Sequence, residues 1–188
     1  MNNHKSTPQY TWKGRPSDTI EYWHQQVRCI DDLSIQDLNP KKKIGLLGYA
    51  VDEGVRRNKG RQGAKDSPDV IRKNMANFPV IIPGFSMLDF GNVTCEDGNL
   101  ENTQNELAKN VSKVLLKGGK SLVLGGGHEV TFGHYRGVKT AFQEQKIGII
   151  NFDAHFDNRQ PEKGVGPSSG TGFWQIAQEG PINSLHIG

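Results

Sequence analysis

The 188-residue chain is long enough to bury one substantial core, which predicts a single domain or part of a larger one. Its 23 basic and 20 acidic residues are mixed along the sequence, and a net charge of +3 spread in this way excludes a nucleic-acid-binding stripe. No apolar run approaches the ~20 residues of a membrane-spanning helix, and Cys29 and Cys95 lie far apart without a CxxC spacing. We therefore expect a cytoplasmic protein with free thiols and with neither a membrane nor a nucleic-acid partner.

The first 40 residues are polar and show no long hydrophobic period. We interpret residues 1–40 as an arm that packs over the main domain, with a short helix around residues 21–30. The main domain is predicted to span residues 41–188.

Within that domain, predicted strands and helices alternate. Ser67, Pro68 and Asp69 offer an N-cap, a first-turn proline and an early acid, which marks a helix start. Thr103 and Glu106 make a capping box ahead of one apolar helical face. The predicted strands are 43–49, 85–90, 121–124, 147–152 and one that opens at 183; the predicted helices begin at 67 and 103 and span 131–143; the loops are 52–66 and 158–172.

This order predicts an α/β fold with a mainly parallel sheet that is covered by helices on both faces. In such sheets ligands bind at the carboxyl ends of the strands. Two groups of polar residues follow strand ends here, and we expect them to meet at one edge of the sheet.

The first of these groups alternates ligand-type and other residues. Asp153, His155 and Asp157 follow strand 147–152, and a period of two predicts that all three lie on one side of an extended backbone. His128 follows the preceding strand. Two imidazoles and two carboxylates suit Mn, Fe, Co or Zn better than Ca or Mg, which favours metal-dependent hydrolysis. The alternative is that these residues merely close strands and turns.

Two glycine- and arginine-rich segments leave alternatives open. Gly125-Gly126-Gly127 could cradle a phosphate, but it lacks GxGxxG and GK[ST] spacing, so close packing that directs His128 inward explains it better. The basic segment 56–61 is either a solvated loop or a site for an anionic substrate. His134 fits a core or capping role better than that of a ligand.

These motifs resemble those of the ureohydrolase family of arginases, agmatinases and formimidoylglutamases. Gly126-Gly-His128 resembles the first metal motif of the family, and Asp153-Ala-His155-Phe-Asp157 resembles its DAHxD signature. The resemblance runs over residues 44–188. Supporting matches are Gly60-Arg-Gln-Gly63-Ala64, Pro68, Ile71-Arg72 and Leu88-Asp89-Phe90-Gly91.

The family implies a three-layer α/β sandwich, two Mn2+ ions per complete site, attack by metal-bound hydroxide and assembly into homo-oligomers. Segments 54–61 and 168–171 look most like formimidoylglutamase, which hydrolyses N-formimidoyl-L-glutamate to L-glutamate and formamide in histidine degradation. An agmatinase or another guanidino ureohydrolase is the alternative enzyme.

The resemblance also implies roles for individual residues. The implied metal ligands are His128, Asp153, His155 and Asp157, of which His155 and Asp157 are also catalytic; the implied substrate-binding residues are Arg159, Ser169, Arg57 and Arg61. Arg159 falls where arginases carry an asparagine that holds the substrate's carboxylate, and an arginine there offers a bidentate fork. By residue counting, Phe173 replaces the proton-shuttling histidine of arginases, so that relay is not expected.

The chain departs from the family in one respect. Family members carry a third motif of the SxDxD type, whose aspartates complete the binuclear site, and nothing after Asp157 resembles it. We therefore expect an incomplete sandwich, truncated before the third metal motif. The chain is either the amino-terminal part of a longer enzyme or a truncated, non-catalytic domain that serves assembly or partner binding.

Overall fold

The computed structural model describes residues 3–31, 43–82, 84 and 86–188. Strands and helices alternate through most of this range. The strands are β1 (His4–Lys5), β2 (Val27–Cys29), β3 (Lys43–Ala50), β4 (Ser86–Thr94), β5 (Lys120–Leu124), β6 (Gly148–Phe152) and β7 (Asn183–Ile187). The helices are α1 (Glu53–Arg57), α2 (Ser67–Met75), α3 (Leu100–Leu116), α4 (Val130–Ala141) and α5 (Gly172–Gln178). None of the described helices is long and apolar enough to cross a membrane.

The main sheet is mainly parallel, as predicted. Its strand order is β1-β4-β3-β5, and β3 runs parallel to both β4 and β5. β2 pairs in parallel with the first part of β4, and β1 pairs antiparallel with its last part. Because β3 and β5 run side by side in parallel, their carboxyl ends open on the same edge of the sheet.

Two hydrophobic cores cover the two faces of this sheet. Successive residues of β3 point to opposite faces and enter different cores. Leu46 packs against α2 and the arm, and Leu47 packs against α3. The core on the α3 side contains Leu107, Val111 and Val114, and the other contains Trp12, Met75 and Ala76. This arrangement confirms the predicted sandwich of helix, sheet and helix layers.

The strands β6 and β7 form a separate two-stranded parallel sheet. One face packs against α4 and α5, and the other exposes Ile150, Phe152, Leu185 and Ile187, which are 45% to 78% accessible to solvent. Parallel sheets are normally covered on both faces. The sandwich is therefore incomplete here, as the sequence predicts, although a division into two sheets was not predicted.

Residues of the predicted arm pair with β4 of the main sheet, and their local structure differs from the prediction. Residues 21–30 form a short 3-10 turn followed by β2 rather than a helix. The reason is pairing with β4, which takes up the backbone hydrogen bonds of this segment. The proposed boundary at residue 40 lies outside the described residues.

Four further elements differ from their predicted positions, and one of them is α1, a helix within the predicted loop 52–66. α3 begins at Leu100, before the predicted capping box, because the Asn99 side chain accepts a hydrogen bond from the Asn102 N–H at 3.0 Å. β4 continues past Gly91, whose φ of +78° lets the strand pass close to the carbonyl oxygen of Lys5. α5 was not predicted.

Candidate metal centre

The glycine loop after β5 brings His128 to the edge of the sheet. Gly126 has a φ of +122°, and a Cβ atom there would lie 2.2 Å from the carbonyl oxygen of Tyr49. The Gly127 N–H donates to the carbonyl oxygen of Val51 at 2.9 Å. These contacts favour close backbone packing over a phosphate cradle as the role of the three glycines.

A Gly126→Ala substitution should test this packing. Backbone strain at positive φ costs about 1–2 kcal/mol for a residue with a side chain, and the clash with Tyr49 adds about 1–3 kcal/mol. Gly180→Ala is the matched control, because Gly180 has the same φ of +122° with no atom within 4 Å of the new methyl group. Urea unfolding should therefore show a clearly larger decrease in the free energy of unfolding for Gly126→Ala than for Gly180→Ala. Equal decreases would contradict close packing.

Three of the four predicted ligands meet at the strand ends. The Nδ1 atom of His128 lies 2.5 Å from Oδ2 of Asp157 and 3.3 Å from Oδ2 of Asp153. One donor atom from each residue lies within 4.8 Å of the other two. All three side chains are partly buried, between 20% and 30% exposed, so the cluster is accessible from one side.

His155 lies beside this cluster rather than within it. Its side chain is 81% exposed, and its Nδ1 atom is 3.4 Å from Oδ1 of Asp153. The predicted placement of all three DAHFD ligands on one side is wrong, because β6 ends at Phe152 and the period of two ends with it. Asp157 returns to the cluster through a turn with a φ of +43°, a conformation that aspartate tolerates better than most residues.

The backbone of His155 nevertheless supports the cluster. Its N–H donates to Oδ1 of Asp153 at 2.8 Å, and this hydrogen bond holds the pKa of the Asp153 carboxyl below its ordinary value. Asp153 is thereby kept in the charged form that binds cations.

The donor set fits a transition-metal ion. An imidazole nitrogen and two carboxylate oxygens converge on one point with no thiolate, which suits a divalent ion such as Mn or Zn with open coordination positions. These three residues, with His155 next to them, supply enough donors for one ion.

Phe173 borders the metal cluster. Its ring packs edge-to-face with the ring of His128, with centroids 6.3 Å apart, and also against His186 at 4.5 Å. Phe173 is buried, and its ring closes one side of the His128 imidazole.

The predicted substrate residue Arg159 lies on the loop that follows the cluster. Its backbone N–H donates to the carbonyl oxygen of Gly170 at 3.1 Å, and its Nη2 atom donates to Oδ1 of Asn58 at 2.6 Å. A side chain at Gly170 would strike the guanidinium, with its Cβ only 2.3 Å from Nη2. Arg159 is exposed and borders a small cleft of about 70 Å3, which Ser168 also lines.

Arg57 has a structural role instead of the predicted contact with substrate. Its guanidinium donates to the carboxylates of Glu53 and Glu101. It also donates to the carbonyl oxygens of Gly98 and Pro167 at 2.9 and 3.1 Å. All three guanidinium nitrogens are engaged, so Arg57 ties α1 to the neighbouring loops and has no nitrogen left for a substrate carboxylate.

The other predicted residues are placed differently. Arg61 is exposed and does not line the cleft beside Arg159. Ser169 is half-buried, and its N–H donates to the carbonyl oxygen of Gly54 at 3.1 Å. His134 is half-buried: its Nε2 atom bonds with the hydroxyl of Ser121 at 2.9 Å, and burial lowers its pKa.

Sequence reasoning missed Glu129, the residue after His128. Its side chain is fully buried, and burial raises the pKa of its carboxyl to about 7. The sequence carries no signal for this, since an acid at the start of a helix is more often an exposed first-turn residue.

The fold and the cluster define a candidate metal-binding α/β domain whose ligands emerge where parallel strands end. The chain belongs to the arginase family, whose model matches residues 42–188. This confirms the family that the two metal motifs indicate.

Curated relatives are formimidoylglutamases. The protein from Geobacillus sp. (strain WCH70) is 44% identical over 182 residues, which cover 94% of this chain and 55% of the relative. The protein from Clostridium tetani is 42% identical over 187 residues, with 93% and 55% covered. The chain thus spans about half the length of the curated relatives that it matches.

Solved structures agree. A crystal structure of Trypanosoma cruzi formiminoglutamase with Mn2+ matches with a TM-score of 0.71 and 28% identity, covering 82% of this chain and 54% of that one. Formimidoylglutamase from Bacillus subtilis matches with a TM-score of 0.75 over 94% of this chain and 55% of that one; at 18% identity it supports the fold alone.

Proposed function

We propose that the chain supplies the His128 and DAHFD part of a Mn2+-dependent formimidoylglutamase. The reaction adds water across the C–N bond of the formimidoyl group of N-formimidoyl-L-glutamate, releasing L-glutamate and formamide. The observation that carries the proposal is the convergence of His128, Asp153 and Asp157 where β5 and β6 end. The named activity of the 44% identical relative supports the choice of substrate.

In this proposal the three cluster residues would hold Mn2+, and His155, whose exposed ring lies beside them, would be a weaker ligand. Bound Mn2+ makes a nucleophile available at neutral pH and polarises the group under attack. His128 and the two aspartates would fix the position of the ion, and we assign catalytic roles to Asp157 and His155 because they belong to the DAHFD segment that resembles the family's second metal motif. These side chains suffice for one ion, whereas the family implies two.

We propose that Arg159 binds a carboxylate of the substrate, with Ser169 beside it. Its Nη2 atom is held by Asn58, whereas Nη1 and Nε of this exposed, cleft-lining side chain have no hydrogen-bond partner among the described residues. A planar guanidinium can grip a carboxylate with two parallel hydrogen bonds, which suits the glutamate part of the substrate. We further propose a cytoplasmic homo-oligomer.

Replacing Arg159 with alanine should weaken substrate binding. Losing a charge-assisted hydrogen-bonded pair should raise KM for N-formimidoyl-L-glutamate about 10- to 100-fold, with less effect on kcat. Steady-state kinetics measures this split. Arg56→Ala is the matched control, because Arg56 is exposed on α1 and pairs with Glu53; an equal rise in KM for both variants would refute the role of Arg159.

The activity itself is tested by measuring glutamate and formamide release with and without Mn2+. The chain is assayed alone and after mixing with the part of the Geobacillus relative that lies outside the match. We expect Mn2+-dependent release of both products. Faster release of urea from agmatine would favour a guanidino ureohydrolase, and failure to bind Mn2+ in either preparation would favour a non-catalytic domain.

A further inference from the structure

Glu129 combines full burial with incomplete hydrogen bonding. One carboxylate oxygen, Oε1, accepts the N–H of Gly54 at 3.0 Å, whereas Oε2 is buried with no hydrogen-bond partner among the described residues. Buried acids are rare unless they are paired, because an unpaired charge or polar atom costs stability. A hydrophobic side chain would serve a purely structural core better, so this carboxyl calls for another explanation.

Two glycines make room for the carboxyl. A Cβ atom at Gly54 would lie 2.4 Å from Cδ of Glu129, and one at Gly127 would lie 2.0 Å from its Oε2 atom. Gly54 lies in the first turn of α1, and Gly127 lies in the loop that carries His128. The Glu129 carboxyl therefore occupies the space between α1 and the glycine loop 125–128, which carries the metal ligand His128.

The backbone of Gly54 connects Glu129 to the loop that contains Arg159 through two hydrogen bonds. Its N–H donates to Glu129, and its carbonyl oxygen accepts the N–H of Ser169 at 3.1 Å. At the other end of α1, the C-cap residue Asn58 accepts the Nη2 hydrogen of Arg159. The short helix is thus fixed to the metal-ligand loop at its start and to Arg159 at its end.

A second set of hydrogen bonds runs from the backbone of Glu129 to the same loop. The carbonyl oxygen of Glu129 accepts from Nε2 of Gln104 at 3.0 Å, and the Gln104 and Gln175 amides bond to each other at 3.1 and 3.3 Å. Gln175 then accepts from the Thr171 hydroxyl, which itself accepts the N–H of Ser168 at 2.9 Å. All four side chains of this second set are buried: Gln104, Gln175, Thr171 and Ser168. Two hydrogen-bonded routes therefore connect Glu129 with residues 168–171, one through Gly54 and one through Gln104.

We propose that Glu129 is a positioning residue that holds α1 and the loop 158–172, and with them Arg159, in register with the metal cluster. It lies outside the cluster of His128, Asp153 and Asp157 and acts through Gly54 and Gln104. The importance of Arg159 rests on the proposed function, whereas the mechanical link does not.

The test is hydrogen–deuterium exchange of the metal-free chain, followed by mass spectrometry, for the wild type, Glu129→Gln and Glu129→Ala. Removing the acceptor for Gly54 should speed exchange in peptides from 158–172 about tenfold, the equivalent of one lost buried hydrogen bond, while α3 stays protected. Glu129→Gln keeps an acceptor oxygen in place and should restore most of the protection. Glu144→Ala, at an exposed acid, is the matched control and should change nothing.

If Glu129→Ala does not fold, Glu129→Asp tests the same side-chain contact, because a carboxylate shortened by one methylene group should fall short of the Gly54 N–H and speed exchange in 158–172. Gln104→Leu tests the main-chain route separately, so exchange should rise at 168–171 while the N–H of Gly54 stays protected. Unchanged exchange in 158–172 in the variants that fold, or equal acceleration of α3, would overturn the proposal by showing no link or only general destabilisation. Because no metal or substrate is present, failure here is distinct from failure of the proposed hydrolysis.

Discussion

The His128→Ala variant is expected to lose almost all Mn2+ binding. The Nδ1 atom of His128 is the donor that both Asp153 and Asp157 approach, and its removal leaves two carboxylates without the nitrogen ligand that completes the set. Loss of residues that only orient a ligand costs about 10- to 100-fold in affinity, so loss of a direct ligand should exceed about 100-fold. Isothermal titration of Mn2+ into the metal-free chain measures this.

His155→Ala is the matched control for this prediction. From the sequence alone, we expect His155 to be as essential as His128, but the structure leaves its ring 81% exposed and outside the cluster. The hydrogen bond from its backbone N–H to Asp153 survives in the alanine variant. The affinity should therefore fall at most about tenfold, the lower end for an orienting residue. A loss equal to that of His128→Ala would show that the imidazole of His155 is itself a principal ligand.

The ligand types in DAHFD could be predicted from the sequence, but their arrangement could not. The residue types and the position after an apolar run indicate a strand-end metal site, which the convergence of Asp153 and Asp157 with His128 supports. Their arrangement depends on where β6 ends, and the tight turn at Asp157 places that residue in the cluster. Strand ends are set by pairing with distant residues, here β7, and not by local pattern.

The same distinction between local and distant contacts explains which helices could be predicted from the sequence. The long apolar period of α3 predicts its helix because packing on one face follows the sequence directly. α5 has only seven residues and begins at a glycine, so its helix depends on burial of Phe173 and Ile176 against α4. The role of Arg57 was likewise hidden, because its partners Glu101 and Pro167 lie far along the chain.

The second large effect is expected for Arg72→Leu, which should lower the free energy of unfolding by about 3–5 kcal/mol, the usual result of leaving a buried partner unpaired. Arg72 and Asp89 are both fully buried; Nε and Nη2 of the arginine donate to the two carboxylate oxygens at 2.7 and 2.9 Å. The indole N–H of Trp12 donates to the same carboxylate at 2.8 Å, so the pair also anchors the arm. Urea unfolding followed by circular dichroism measures the loss.

Two further variants distinguish the effect of the Arg72–Asp89 ion pair on stability from the effects of neighbouring contacts. Lys109→Leu removes the cation of a helical ion pair with Glu106 that is largely exposed, and it should cost less than about 1 kcal/mol. The double variant Arg72→Leu with Asp89→Leu removes both buried charges, and it should be more stable than Arg72→Leu alone because no carboxylate is left unpaired. A double variant that is less stable than the single one would mean that Asp89 stabilises the fold mainly through its other two donors, the indole N–H of Trp12 and the backbone N–H of Gly91, rather than through the ion pair.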